Sequence, residues 1–130
     1  MGRAIGACLA GLIGWAILAT VLNLPLRSLL DGYAAAEKSL DFTLLMQFAR
    51  LLIGALASIG AGWVAARVAA AGSRVPILAG GIVLAAMIPV HAQLWAKFPL
   101  WYHAFFLLTI VPFFWLGART GRRSASPAAG

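Results

Sequence analysis

Apolar residues in this chain gather into four long uncharged stretches, at about 4–26, 51–66, 75–96 and 98–118, and every charge falls between or beyond them. A bilayer core asks for about 20 apolar residues per helix. Three stretches meet that length directly. The second meets it by reaching back past Arg50, which places one arginine inside an otherwise uncharged helix. The pattern predicts an all-α integral membrane four-helix bundle, with helices at about 4–24, 42–68, 75–95 and 100–118, arranged as two hairpins in one domain over 1–118. Residues 119–130, basic and then small and polar, read as a disordered tail.

Local signals set the helix ends. Pro25 lacks an amide hydrogen and disfavours helix at Leu24, so the first helix is expected to stop at Asn23-Leu24. The connection over 25–41 holds the run Ala34-Ala35-Ala36-Glu37-Lys38, whose helix propensity predicts a short interfacial helix near 33–40, with Asp41 capping the next span. Pro76 falls in the first turn of the third helix, where proline is tolerated. Pro89 and Pro112 lie inside the third and fourth helices and are expected to bend them.

Small residues repeat at four-residue spacing: Gly6, Ala10 and Gly14 on the first helix, and Gly54, Ser58, Gly62 and Ala66 on the second. Such faces let helix backbones approach closely in lipid. The second helix is therefore expected to pack centrally. These faces also motivate a homo-oligomer or a membrane-protein partner, in addition to the lipid bilayer itself. The fourth helix, with Phe105, Phe106, Phe113, Phe114 and Trp115, is expected to face lipid or to fill the gaps that the small faces leave.

Composition agrees with lipid as the solvent. Hydrophobic residues make up 63% of the 130 residues and charged residues 10%, against about 25% charged in soluble domains. The net charge of +7 does not point to nucleic acid, because the bases sit at helix ends. If the N-terminus is cytoplasmic, Arg3, Arg67, Arg74, Arg119, Arg122 and Arg123 lie inside, and Arg27, Lys38, Arg50 and Lys97 outside. That balance favours cytoplasmic N- and C-termini. The Ala, Gly and Arg richness suggests a bacterial inner-membrane protein. The first stretch is longer than the about 7–15 residues of a signal-peptide core, so it reads as a span. Cys8 is the lone cysteine, so no internal disulfide or cysteine metal cage is expected, and no cofactor or metal.

Polar residues within the spans gather in the half of the bundle away from the termini. Gln47 and Arg50 on the second helix, His91 on the third and His103 at the start of the fourth form the candidate polar site, since intramembrane ionisable groups are functional by default. Each has a plain alternative. Arg50 either snorkels to the surface and pairs with Asp41 or Glu37, or faces inward. His103 doubles as an interface residue beside Trp101, and Asn23 as a helix terminator. No catalytic, nucleotide-binding or metal motif is present. The chain looks most like the small four-helix inner-membrane proteins of bacteria, a likeness that transfers no residues. It lacks the first-helix Glu on which small multidrug exporters depend, and Gly2-Arg3-Ala4-Ile5-Gly6 does not reproduce the N-terminal pattern of small fluoride channels. The expected function is a non-enzymatic accessory or binding module in an oligomer or larger complex. The alternative is a small transporter or flippase with a polar site in the outer leaflet.

Overall fold

The computed structural model describes residues 1–125, and they are helical throughout apart from short connections. Four helices are long and apolar enough to cross a membrane. They are α1 (Gly2–Asn23), α4 (Leu44–Val68), α5 (Val75–Gln93) and α6 (Leu100–Ala125), and they form an antiparallel bundle. Two short helices, α2 (Leu26–Leu29) and α3 (Tyr33–Ser39), lie in the first connection. The bundle therefore has a loop end, carrying α2 and α3, and a terminal end, where α1 begins and α6 finishes.

The first helix ends at Asn23, as expected before Pro25, but the backbone does not turn away there. Leu24 and Pro25 both keep right-handed helical backbone, and the helical turn resumes at Leu26. Proline removes one donor, and at the entry to α2 that donor has no partner to lose. The chain reverses only at Leu30, which is extended, and at Gly32, whose φ of +77° suits glycine. The short helix α3 forms where the alanine run predicts it. It ends at Leu40, an uncommon non-glycine residue with φ +63°. Thr43, not Asp41, caps α4: its hydroxyl accepts from the Met46 amide at 3.3 Å. Helices α5 and α6 run on through Pro89 and Pro112. Residues 119–125, expected as tail, continue α6 instead: no proline interrupts the run, Gly121 packs on the Trp63 backbone and Arg122 bonds to Ser73. The expectation of disorder beyond that point lies outside the described residues.

Helix α4 is central and packs on α1, α5 and α6. Its small stripe lies on α6. A Cβ built on Gly62 would fall on the Phe114 carbonyl, and one on Gly54 would come within 2.8 Å of the Phe106 ring. Ser58 is 1% exposed. Helix α6 supplies a matching pair, Gly117 and Gly121, set against the Ile59 and Trp63 backbones. The sequence holds this as Gly117-Ala118-Arg119-Thr120-Gly121, a small-x-x-x-small signal hidden by the aromatic bulk before it. Phe114, 0% exposed, is the knob of this core, touching the faces of Gly62, Gly80 and Gly11. On α1 the tight seam is Ala7 and Gly11, one position along from the expected stripe. A Cβ on Gly11 would meet Ala65 at 3.1 Å and Ala79 at 3.2 Å, whereas Gly6 and Gly14 border the contact at 4.0 Å.

At the terminal end, arginines bind exposed carbonyls. The Arg3 guanidinium donates to Val68 and Ala69 at the end of α4, and Arg122 donates to the Ser73 carbonyl. Val68 and Ala69 offer the acceptors that a helix C-terminus leaves unpaired, and Ser73 lies in the connection before α5.

Candidate functional site

Helices α1 and α5 touch in the terminal half, where Gly11 meets Ala79. Toward the loop end a cavity of about 460 Å³ opens between them, backed by α4 and α6 and covered by α3. Its floor is closed by an internal bond from Trp15 Nε1 to Ser58 Oγ at 3.1 Å. Ser58 in turn donates to the Gly54 carbonyl at 2.8 Å. Below that floor the Ala61, Ala79, Val83, Ile110 and Phe114 core is packed.

Arg50 lies on the cavity wall, half-buried. Neither expected carboxylate partner touches it. One terminal N–H donates to the Tyr33 hydroxyl at 3.0 Å, the Tyr102 hydroxyl lies beside the guanidinium, and the group stands 4.6 Å from the centre of the Phe42 ring. Its Nε is buried and has no acceptor. All of these neighbours are neutral.

From Arg50 a chain of hydrogen bonds leads to the surface. Tyr33, 0% exposed, accepts from Arg50 and donates to Asn23 Oδ1 at 2.6 Å. The Asn23 amide donates to Glu37 Oε1 at 2.6 Å, and Arg27 donates to Glu37 Oε2 at 2.7 Å. Thus α3 is fastened to the end of α1 through Asn23 and to α2 by the Arg27–Glu37 ion pair. Partial burial opposes ionisation of Glu37, but the bonds from Asn23 and Arg27 and the charges of Arg27 and Arg50 outweigh it. They hold the carboxyl below its ordinary value. Summing the cavity's formal charges, Arg27 and Arg50 against Glu37, leaves one positive charge.

His91 and His103 meet. Their Nδ1 atoms are 2.7 Å apart and both rings are buried, with Trp95 stacked on His103 at 4.9 Å. One ring must donate and the other accept, so a single proton occupies the gap. His91 lines the cavity, whereas His103 stands behind it and its Nε2 has no partner. Gln47 is not brought to the site. Its side-chain amide folds back onto the Phe42 carbonyl at 3.1 Å, leaving Oε1 buried and unpaired. No group of three or more His, Cys, Asp or Glu among the described residues could hold a metal.

Of the four candidates, therefore, Arg50 and His91 share the cavity, His103 supports His91, and Gln47 braces the start of α4. The residues that sequence reasoning missed are Tyr33, Tyr102 and Phe42, which surround Arg50, and Trp15, which closes the floor. Tyr33 reads as one more apolar residue of the connection, and Tyr102 as part of an aromatic belt. Only the folding of α3 back over the bundle reveals their hydroxyls as partners of an arginine. No protein-family model, curated protein or solved structure matches the chain.

Proposed function

We propose that this protein is a non-enzymatic, membrane-embedded binding module whose cavity takes an anionic group against Arg50. The observation that carries the reading is the set of neighbours around that guanidinium. It has five N–H donors, yet only phenol oxygens and an aromatic face meet it. A cation in a partly dehydrated site is costly without an anion beside it, and the cavity's net charge is positive. Planar bidentate donors suit phosphate or carboxylate.

Two features favour binding over chemistry or passage. Glu37 is already held by Arg27 and Asn23, and His91 by His103, which leaves no free nucleophile–base pair on the cavity wall. The Trp15–Ser58 floor and the packed core below it close the route toward the terminal end. The glycine seams that suggested an oligomer or a protein partner are taken up inside the bundle by Phe106, Phe114 and Ile59, so the partner in this reading is lipid and its anions. The protein then sits in a bacterial inner membrane with both termini cytoplasmic and the cavity in the outer leaflet. Support comes from the six bases at the terminal end, against four at the loop end, of which Arg27 is paired and Arg50 lies inside the cavity.

Thermal unfolding of purified protein tests the reading, with phosphate replacing chloride at matched ionic strength. Phosphate stabilises proteins generally by exclusion from their surfaces, so the difference between wild type and Arg50→Gln is the readout. Extra stabilisation of the wild type is expected. Equal shifts in the two proteins would remove the anion site.

A further inference from the structure

The cavity is polar at one end only, and that polarity runs along the bilayer normal. Asn23, Arg50 and Tyr33 mark its loop end; Trp15, Ala19, Ile53 and Met87 line the way down. Trp15 lies eight residues before Asn23 on α1, about 12 Å along the helix axis. The floor therefore lies close to the middle of a bilayer core about 30 Å thick. The one polar pair at that depth, Trp15 and Ser58, satisfies itself and offers nothing to an anion. A soluble anion would need only the loop end of this space and would leave the apolar remainder unused. Part of the loop end is covered by α3, fastened through Tyr33 and Glu37, with exposed Arg27 at the rim, and the cavity also lies between α1 and α5, where both helices present apolar residues outward. Exposed Ile17 and Val21 on α1 and Ile88 and Val90 on α5 flank it. The volume of about 460 Å³ falls in the range of about 300–1,000 Å³ typical of small-molecule sites.

We propose that the ligand is an amphiphile with an anionic phosphate-type head and a hydrocarbon chain. It enters sideways from the leaflet between α1 and α5, sets its head against Arg50 and Asn23, and runs its chain down to Trp15. This rests on the anion-binding reading above and adds the chain, the depth and the lateral route. Aromatic residues at head level among the cavity lining, Phe98 and, on α6, Tyr102, close the head site on that side.

The test uses Trp15 as the reporter, its emission taken as the difference between wild type and Trp15→Phe. The full chain is reconstituted in bilayers of phosphatidylcholine with rising fractions of phosphatidylglycerol, with the chains of one or the other lipid brominated. Half-quenching of Trp15 is expected at about a tenfold lower mole fraction of brominated phosphatidylglycerol than of brominated phosphatidylcholine, the size of one charge-assisted contact. Arg50→Gln should abolish that preference. Ala19→Phe, which fills the chain path, should abolish it as well, and its unfolding temperature reports whether the bundle is intact. If phosphate stabilises the protein through Arg50 while Trp15 is quenched alike by both lipids, the ligand is a soluble anion and the amphiphile proposal falls alone. If the lipid preference survives Arg50→Gln, the head is elsewhere and the proposal falls. If neither phosphate stabilisation nor lipid preference depends on Arg50, the anion site falls with it.

Discussion

The Tyr33 hydroxyl joins two charges that never meet: it accepts from Arg50 at 3.0 Å and donates to Asn23, which in turn holds Glu37. A phenol 17 residues from the arginine in sequence thereby ties α3 to α4 and α1 together. Tyr33→Phe keeps the packed ring and removes only the bridge. It leaves an arginine donor and the Asn23 carbonyl oxygen without their partner, a loss of about 1–3 kcal/mol where such groups are buried. The expected result is faster hydrogen exchange across 30–40, with the four spans unchanged. Unaltered exchange there would show that the bridge contributes nothing to holding the cover.

The same cover responds to acid through Glu37. Its carboxyl titrates below the ordinary 4.5 in the folded protein, so folding favours the charged form. The stabilisation is fully present above the unfolded value and is lost as pH falls through the lower, folded one. Protection over α3, taken relative to the intrinsic exchange rate at each pH, should be steady from neutral pH down to about 5 and should then fall below the ordinary carboxylate range. Glu37→Gln should show the lower protection already at neutral pH and little further change with acid. If Glu37→Gln and wild type respond to acid alike, another group is responsible.

Much of the architecture was legible in the sequence because lipid imposes a length rule. Four uncharged runs give four spans, and the Ala34–Ala36 run gives α3. The side-chain pairings were not legible, for a physical reason. Gln47 and Arg50 share a face by spacing, yet Gln47 finds its acceptor at Phe42, just ahead of the α4 cap, and Arg50, with a longer reach, finds Tyr33 across the connection. Periodicity fixes the face a residue occupies. It says little about which acceptor a flexible side chain finds, and nothing about where the 20-residue connection over 24–43 folds back. The α1 seam shows the same limit: stripes through Gly6 and Gly14 and through Ala7 and Gly11 are equally small, and only the positions of α4 and α5 choose between them.

Glycine substitutions separate positions that sequence treats alike. A Cβ at Gly62 would fall on a backbone carbonyl of α6, which cannot rotate away, so Gly62→Ala should force α4 and α6 apart. At Gly54 the obstacle is the Phe106 ring, a side chain able to shift, and Gly54→Ala should be milder. Gly81 has nothing within 4 Å of a built Cβ, and Gly81→Ala should be neutral or stabilising by up to about 1 kcal/mol from helix propensity. Removing the knob, Phe114→Ala, should cost about 3–5 kcal/mol. Unfolding in mixed micelles followed by circular dichroism gives the order, and a Gly62→Ala protein as stable as wild type would refute the close approach.

The histidine pair makes an asymmetric prediction. His103 is 1% exposed and its Nε2 is already without a partner, so Nδ1 depends wholly on His91. His91→Leu would leave both His103 nitrogens buried and unpaired. His103→Leu would leave His91 with one unpaired nitrogen and an edge still on the cavity. The first change should therefore destabilise the bundle more than the second, by about 1–3 kcal/mol. The double variant should be less damaging than the sum of the two, because removing both members leaves no orphan. Equal single effects that simply add would mean the 2.7 Å contact carries no coupling, and α5 and α6 would then be held at this end by Trp95, Phe98 and Phe106 packing alone.

Orientation and the lateral opening can be read together from single cysteines in a Cys8→Ser background. Lys38→Cys, on exposed α3, should react in intact cells with a membrane-impermeant maleimide, and Arg74→Cys, at the terminal end, only after lysis. The reverse pattern would invert the topology and place the cavity in the inner leaflet, leaving its internal geometry untouched. Thr20→Cys is the decisive position. Thr20 lines the cavity and is exposed on α1 three residues below Asn23, beneath the cover made by α3. An opening toward water would let the impermeant reagent reach it as readily as it reaches position 38. An opening between α1 and α5 toward lipid admits a lipid-soluble maleimide and excludes the charged one. The lateral geometry therefore predicts labelling of Thr20→Cys by the lipid-soluble reagent alone, and Tyr33→Phe, by loosening the cover, should let the charged reagent in.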